Sequence, residues 1–277
     1  MKTLSIIILS YNVRKLLLDC LKSIPSHTDW EIIVVDNAST DGSAKLATIK
    51  NKKNLGFAAG NNIGIQNSSS PFVLLLNPDT IVYPGTIEAV LEYMKSHPDA
   101  GAATCRVELS DGSLDYSCHR GFPNPVNSLL HFIGLKKFSS YTFQNIPNTI
   151  HEIDAFTGAF ALIRRAAGDQ VGWLDEDYFW NGEDLDFCYK LKAAGWKVFY
   201  IPHVKITHFK GSSAKATPQT RYHWALNSTQ VMNIFYRKHL AAKYPFLFNW
   251  LIYASIWLLE KRRFLLQKGV SFKEPPL

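Results

Sequence analysis

Carboxylates placed just after apolar runs are where this chain can do chemistry. Asp36 follows Ile32–Val35, where its side chain can accept hydrogen bonds from a nucleobase or a ribose. The plainer reading is a turn, because Asp and Asn commonly end strands. Asp79 follows Phe72–Leu76, the most hydrophobic strand-like run. A carboxylate there suits magnesium or manganese, which are bound through few carboxylates plus substrate phosphates. The alternative is an ordinary Asn-Pro-Asp turn, and Asn77 stands where a second acid would strengthen a metal site. His208 closes another apolar run; a neutral imidazole is a frequent metal ligand, and Lys210 beside it can meet phosphate. Taken alone, a single histidine is more often structural.

Glu183 and Asp184 open a helical pattern. Helical spacing puts Asp184 with Phe187, Cys188 and Leu191 on an inward face, and Glu183 with Asp186 and Lys190 on a solvated one. An inward carboxylate needs a partner or a task, since unpaired burial is costly. A general base has such a task, because it must touch an acceptor hydroxyl away from bulk water. The competing reading is a first-turn acid favoured by the helix dipole. Asn54-Leu55-Gly56-Phe57-Ala58-Ala59-Gly60-Asn61-Asn62 reads as a loop that lets backbone approach a ligand and leads into a helix whose first amides face phosphate. It matches neither a dinucleotide fingerprint nor a P-loop.

The elements that must position these groups alternate. Leu4–Leu9, Ile32–Val35 and Phe72–Leu76 read as strands; Val13–Ile24, Ser43–Ile49 and Thr86–Ser96 read as helices. That order predicts parallel strands with helices on both faces. Ligands then bind beyond the carboxyl ends of the strands, which here carry Ser10-Tyr11-Asn12, Asp36-Asn37 and Asn77-Pro78-Asp79. Farther on, Asp111-Gly112 suggests a hairpin and residues 121–149 a long flexible loop. Thr157–Ile163, Val198–Ile201 and Val204–Thr207 read as strands, and Glu183–Ala194 as a helix stopped by Gly195.

With 277 residues, 47% hydrophobic and 19% charged, the chain is globular rather than disordered. A net charge of +7, with basic residues thickening in the last quarter, favours a local anionic surface over nucleic acid. Four scattered cysteines form no metal or redox motif, and the short apolar run near the N-terminus is no signal peptide. Cytoplasmic residence is the expectation. From Gln219 onward the pattern is helical, and Tyr244–Leu259 is almost wholly apolar with Lys243 before it and Lys261-Arg262-Arg263 behind. Falling short of the ~20 residues that span a bilayer, it reads either as an interfacial helix over 244–263, peripheral on the inner membrane face, or as a helix docked on protein.

Taken in order, several segments resemble family 2 glycosyltransferases of the GT-A fold, especially the bacterial rhamnosyltransferase-like branch. They are Ile7–Asn12, Val34–Ser43, Asn54–Asn62, Leu75–Asp79, Thr157–Phe160, Phe179–Asp186 and His208, across about residues 4–213. The resemblance implies an α/β fold with a Rossmann-like nucleotide-binding half over 1–105, an acceptor half over 106–216, and a helical tail over 217–277. It further implies a nucleotide-diphosphate sugar donor, linked to TDP, UDP or GDP, and a glycan or polyprenyl-linked acceptor. Ser10, Tyr11, Asn12, Asp36, Asn37, Asn54, Gly56, Asn61 and Asn77 would contact the donor. Asp79, the surviving acid of the Asp-x-Asp motif, would bind Mg2+ or Mn2+ with His208. Asp184 would be the base of an inverting transfer, and Gly158, Ala159, Phe160, Trp180 and Glu183 would line the sugar and acceptor site. Two rivals are a sugar-nucleotide nucleotidyltransferase, which should carry a glycine-rich loop with Arg and Lys after the first strand, and a non-catalytic nucleotide-sugar binding module.

Overall fold

A computed structural model describes residues 2–132, 146–210 and 218–266. The chain divides into two compact units, one of Met1–Phe179 with Glu183–Ser213, the other of Trp180–Gly182 with Ala214–Leu277. In the first unit the described strands are β1 (Leu4–Ser10), β2 (Trp30–Asp36), β3 (Ile49–Lys50), β4 (Phe72–Leu76), β5 (Thr80–Val82), β6 (Ala100–Leu109), β7 (His151–Glu152), β8 (Phe160–Arg164) and β9 (Lys197–His208). They form one sheet in the order β3-β2-β1-β4-β8-β6-β9-β5, with β7 added along β9. The first four strands run parallel, as the alternation predicts, whereas β8 lies antiparallel to β4 and β6. The sheet is therefore mixed.

Its centre is apolar on both faces, and all seven residues of β1 are buried. Helices α1 (Arg14–Ser23), α2 (Phe57–Gln66), α3 (Thr86–Ser96), α4 (Pro125–Phe132), α5 (Arg165–Val171) and α6 (Glu183–Ala193) complete the described part of this unit. Helix α2 lies so close to β1 that a Cβ on Gly60 would sit 2.5 Å from Leu9 Cδ1, and one on Gly64 would sit 2.4 Å from Ile7 Cγ2. These small residues serve helix–sheet contact. Gly64→Ala is accordingly expected to destabilise by about 1–3 kcal/mol through overpacking, read as a lower denaturant midpoint with unchanged slope. An unchanged midpoint would mean that α2 can move off the sheet freely.

Several sequence expectations are corrected. Ser43–Ile49 is a short 3-10 turn over Ser43–Leu46 followed by β3, because Ile49 and Lys50 pair with Val35 and Asp36. The strand expected over Thr157–Ile163 begins only at Phe160. The two strands expected around residues 198–207 are one, β9. Its pairing with β6 jumps from Cys105↔Ile201 to Arg106↔Lys205, so Pro202, which has no N–H to give, sits in the irregular stretch. Strand β6 escaped the pattern reading because Ala100-Gly101-Ala102-Ala103 lacks β-branched residues, and it crosses the expected division near residue 105. Crowding explains the composition: a Cβ on Gly101 would lie 2.7 Å from Trp196 Cβ. The loop expected over 121–149 lies partly outside the described residues, and its first part is α4. Asn124 Oδ1 accepts from Asn127 N at 2.8 Å with Pro125 at the first helical position, a standard helix start.

In the second unit, α7 (Pro218–Phe235) continues through a π-helical turn over Tyr236–Leu240 and a 3-10 turn to α8 (Phe246–Leu266). Tyr236 Oη donates to Asn249 Oδ1 at 2.6 Å, and Asn249 Nδ2 donates to the Ala241 and Tyr244 carbonyls, each at 3.0 Å. Among the described residues no helix is long and apolar enough to cross a membrane.

Candidate active site

Parallel pairing brings strand ends together, and register says which. Ser10 lies opposite Asp36 at the ends of β1 and β2. Strand β8 starts opposite the end of β4, Phe160 against Leu76, so Gly158 and Ala159 arrive at the same edge, and Asn77 N donates to Ala159 O at 3.1 Å. The end of β9 reaches the same region through β5: His208 pairs with Thr80, and Phe209 N donates to Asp79 O at 2.8 Å.

At the β1–β2 end, Ser10 Oγ and Asp36 Oδ1 are buried with no hydrogen-bond partner, while Asp36 Oδ2 accepts from Ser39 N at 2.9 Å. A buried polar atom left unpaired costs about 1–3 kcal/mol. Two on facing residues mark a polar floor that a ligand with its own donors can complete. Tyr11 is exposed beside it. Asn12 adopts a left-handed φ of 55°, and its Oδ1 accepts from Thr40 N at 2.8 Å.

Other expected donor contacts turn inward instead. Asn37 Nδ2 donates to Asn54 Oδ1 and to Gly56 O, each at 3.0 Å, and Asn37 Oδ1 accepts from Asn51 Nδ2 at 2.9 Å. Asn37 and Asn54 thus shape the loop before α2. Gly56, at φ +86°, is tight against protein: a Cβ there would lie 2.6 Å from Phe179 O. Asn61 Nδ2 donates to Phe57 O at 3.0 Å. The first amide of α2 does not face open space for phosphate, because Phe57 N donates to Phe179 O at 2.8 Å.

Asp79 and His208 do come together. His208 Nε2 lies 3.2 Å from Asp79 Oδ1, both side chains being buried, and Asn77 Nδ2 lies 3.4 Å from the same nitrogen. Asp115 Oδ2 lies 3.9 Å from His208 Nδ1 and 3.2 Å from Lys210 Nζ, so Lys210, expected to meet phosphate, is paired with an acid. Burial alone would lower the His208 pKa, but Asp115 and Asp79 outweigh it and raise it to about 9. Burial would likewise raise the Asp115 carboxyl, yet His208, Ser117 and Lys210 hold it well below the usual range. Among the described residues no group of three or more His, Cys, Asp or Glu side chains is arranged for a metal. Asp79 and His208, 3.2 Å apart, are the side chains here that would hold a divalent cation, once the imidazole gives up its proton.

A pH dependence follows. A histidine whose pKa is raised on folding, here from 6.5 to about 9, stabilises the fold fully below pH 6.5 and loses that contribution as pH rises through 9. In metal-free buffer the stability lost in His208→Gln is expected to be largest at acidic to neutral pH and to shrink above pH 9. A difference flat from pH 6 to 10 would contradict the protonated pair.

The carboxylates at the start of α6 overturn the helical-face reading. Glu183 is only 4% exposed and Asp186 is fully buried. Asp186 meets Lys190 Nζ at 3.1 Å and the Tyr178 hydroxyl, so its carboxylate is buried with partners and not solvated. Asp184 is the more open of the first two, its side chain 13% exposed. Asp184 Oδ2 accepts from Arg120 Nη2 at 2.7 Å and from Gly158 N at 3.1 Å. Burial first, and the Asp184 charge second, push the Glu183 carboxyl well above the usual carboxylate range, and Glu183 Oε2 has no hydrogen-bond partner. A carboxyl whose ionisation is disfavoured therefore stands beside an ion-paired one. Gly158 also lies near Glu183, since a Cβ there would be 3.7 Å from Glu183 Oε1.

Two groups went unnoticed in the sequence. Arg120, positioned by its backbone pairing with Ala155, supplies the countercharge to Asp184 and also donates to Phe156 O. Asp115 caps a 3-10 turn while facing His208 and Lys210. Each reaches its partner across at least 64 residues, so no local pattern announces it. Ala159 and Phe160 are buried where β8 begins. Trp180 is exposed and belongs to the second unit.

A mixed α/β sheet with polar strand ends, a buried Asp–His pair and a carboxylate at a helix start is the framework of a GT-A glycosyltransferase. The model of "Glycosyl transferase family 2" matches residues 5–167, more than half of the chain, and the chain belongs to that family. It is 28% identical over 222 residues to an N-acetylglucosaminyl-diphospho-decaprenol L-rhamnosyltransferase of Mycobacterium tuberculosis, covering 71% of this chain and 72% of that one. Over 183 residues it is 27% identical to rhamnosyltransferase WbbL of Escherichia coli, covering 63% and 68%. Among solved structures it resembles the mannosyltransferase PcManGT of Pyrobaculum calidifontis in complex with GDP-Man and Mn2+, with a TM-score of 0.58 at 17% identity over 98% of this chain and 76% of that one.

Proposed function

We propose that this chain moves a sugar, with rhamnose the first candidate, from a TDP-, UDP- or GDP-linked donor to a hydroxyl of a glycan or polyprenyl-linked saccharide, with inversion, in cell-surface polysaccharide synthesis. The observation that carries the reading is Asp184, held by Arg120 and Gly158 N yet still partly open, beside a buried Glu183. The names of the two bacterial relatives support rhamnose and, for the mycobacterial one, a lipid-linked acceptor.

In this reading Ser10 and Asp36 take the nucleoside through their unpaired oxygens. Asn12, Asn37, Asn54, Gly56 and Asn61 fix the loops around it, and Asn77 orients His208. Asp79 and His208 would hold a divalent cation, Mg2+ or Mn2+, which when bound offsets charge on the nucleotide diphosphate. Gly158, Ala159 and Phe160 support the sugar. Asp184 takes the proton from the acceptor hydroxyl as that oxygen attacks the anomeric carbon opposite the leaving diphosphate. The C–O bond to the acceptor forms as the bond to the diphosphate breaks, so no covalent enzyme intermediate arises. Glu183, its ionisation disfavoured by burial and by Asp184, leaves Asp184 as the base. The same proposal includes cytoplasmic residence, peripheral at the inner membrane face.

The test is thermal unfolding of the purified protein with nucleotide diphosphates and their sugars, with and without manganese. A ligand at about 100 times its Kd stabilises the folded state by about 2.7 kcal/mol. One nucleotide class should raise Tm, and more so with manganese; no shift with any of them would remove the donor site from this reading.

A further inference from the structure

One face of α8 is apolar and exposed, while Asn249 and Arg263 turn toward its own unit. Phe246, Leu247, Trp250, Leu251, Trp257, Leu258, Phe264 and Leu265 are all exposed, Phe246 by 80% and Trp250 by 61%. Their spacings of three, four and seven residues put them on one face of the helix. The opposite side carries Asn249, bonded to Tyr236 and to the turn carbonyls, buried Ile256, and Arg263, which donates to Ser228. Polar groups thus secure α8 to its own unit while two tryptophans and several aliphatic and phenyl side chains face out. An exposed apolar stripe this long marks an interaction surface.

Charge selects the occupant. Lys261 and Arg262 are exposed at the end of the stripe, with Lys243 exposed just before the helix, and Lys261 Nζ lies 5.7 Å from the centre of the Trp257 ring. The only acid in α8 is Glu260. A second copy docked face to face would bring more cations and no acid of this face to meet them. An anionic lipid surface supplies the missing negative charge together with an apolar layer for tryptophan and leucine. Twenty-one residues make a helix about 32 Å long, and it is not apolar enough to span.

We infer that α8 lies in the plane of an anionic membrane, with the Phe246–Leu265 face inserted among the acyl chains and Lys261 and Arg262 at the headgroups. This sharpens the reading above, in which the acceptor is lipid-linked, but it is carried by α8 alone.

The experiment is flotation of the full chain with phosphatidylglycerol-containing vesicles and with pure phosphatidylcholine vesicles, for wild type, Trp250→Glu/Leu251→Glu and Lys261→Glu/Arg262→Glu. These side chains are exposed, so the variants should keep the wild-type Tm without vesicles. Wild type should partition onto anionic vesicles at least about tenfold more strongly than onto neutral ones, given roughly 1 kcal/mol for each basic residue at the surface. The apolar variant should lose at least about tenfold on both, and the charge variant should lose only the anionic preference. Failure of wild type to float, or equal flotation of the apolar variant, overturns the inference. So does a doubled solution mass that the apolar variant abolishes in a protein that ignores vesicles, since a second copy then covers the face. The nucleotide-induced Tm shift needs no vesicle, so failure here and failure of the donor site are separately visible.

Discussion

Replacing Asp184 by asparagine is expected to lower turnover by about 10²–10⁴-fold, the range for loss of a general base, while the protein stays folded. Asparagine keeps an oxygen to accept from Gly158 N, as Asp184 Oδ2 does at 3.1 Å, so the local backbone keeps its anchor. What disappears is a site for the acceptor's proton, together with the countercharge to Arg120. Glu183→Gln supplies the contrast. Burial and its neighbour's charge push the Glu183 carboxyl toward its neutral form, which the amide imitates. Turnover should survive that substitution far better than Asp184→Asn. The opposite ranking, with Glu183→Gln inactive and Asp184→Asn active, would move the base to Glu183. Loss of the Asp184 charge should also bring the Glu183 pKa down, because that charge is one of the causes raising it. A carbonyl-stretch titration of the two proteins would read this shift directly.

Arg120→Met carries the largest expected cost to stability. The Arg120 side chain is 14% exposed and that of Asp184 13%, so the pair is mostly removed from water. Taking away one member of a buried pair costs about 3–5 kcal/mol because the other charge is left uncompensated. Partial exposure of this pair brings the expectation to about 2–3 kcal/mol after screening. The Phe156 carbonyl loses a donor as well. In denaturant titrations, Arg120→Met/Asp184→Asn should be less destabilised than the sum of the single variants, since the second change removes the stranded carboxylate. Strict additivity would mean that Arg120 acts through packing alone. Turnover of Arg120→Met should fall too, as Asp184 would be free to swing from its place beside Gly158.

Much of this arrangement was legible in the residues. Long apolar runs such as Leu4–Leu9 and Phe72–Leu76 announce buried strands, and polar residues directly after them announce strand ends. Parallel pairing does the rest, so Ser10, Asp36 and Asp79 could be nominated from order alone. The short middle strands were less legible. Strand β6 begins with alanine and glycine, where Trp196 and Ala167 leave no space for a side chain at Gly101, and small residues carry little strand signal. The single span of β9 was hidden by Pro202, which local rules take as a break and the β6 pairing accommodates.

The sequence by itself determined the family, the parallel half of the sheet, and the extent of α1, α3 and α6 to within about two residues, and it nominated Asp36, Asp79 and Asp184 as candidates. Tertiary structure alone decided what each carboxylate is worth. Helical spacing puts Glu183 and Asp186 on a face that charge alone would assign to water, yet both are buried in the fold. Arg120 and Gly158 come from distant segments to Asp184, Asp115 comes to His208, and Phe179 takes the first amide of α2 that seemed destined for phosphate. A side chain's burial and protonation depend on which charges and dipoles surround it in space, and these arrive through strand register over tens of residues. Local composition records the need for such partners without naming them.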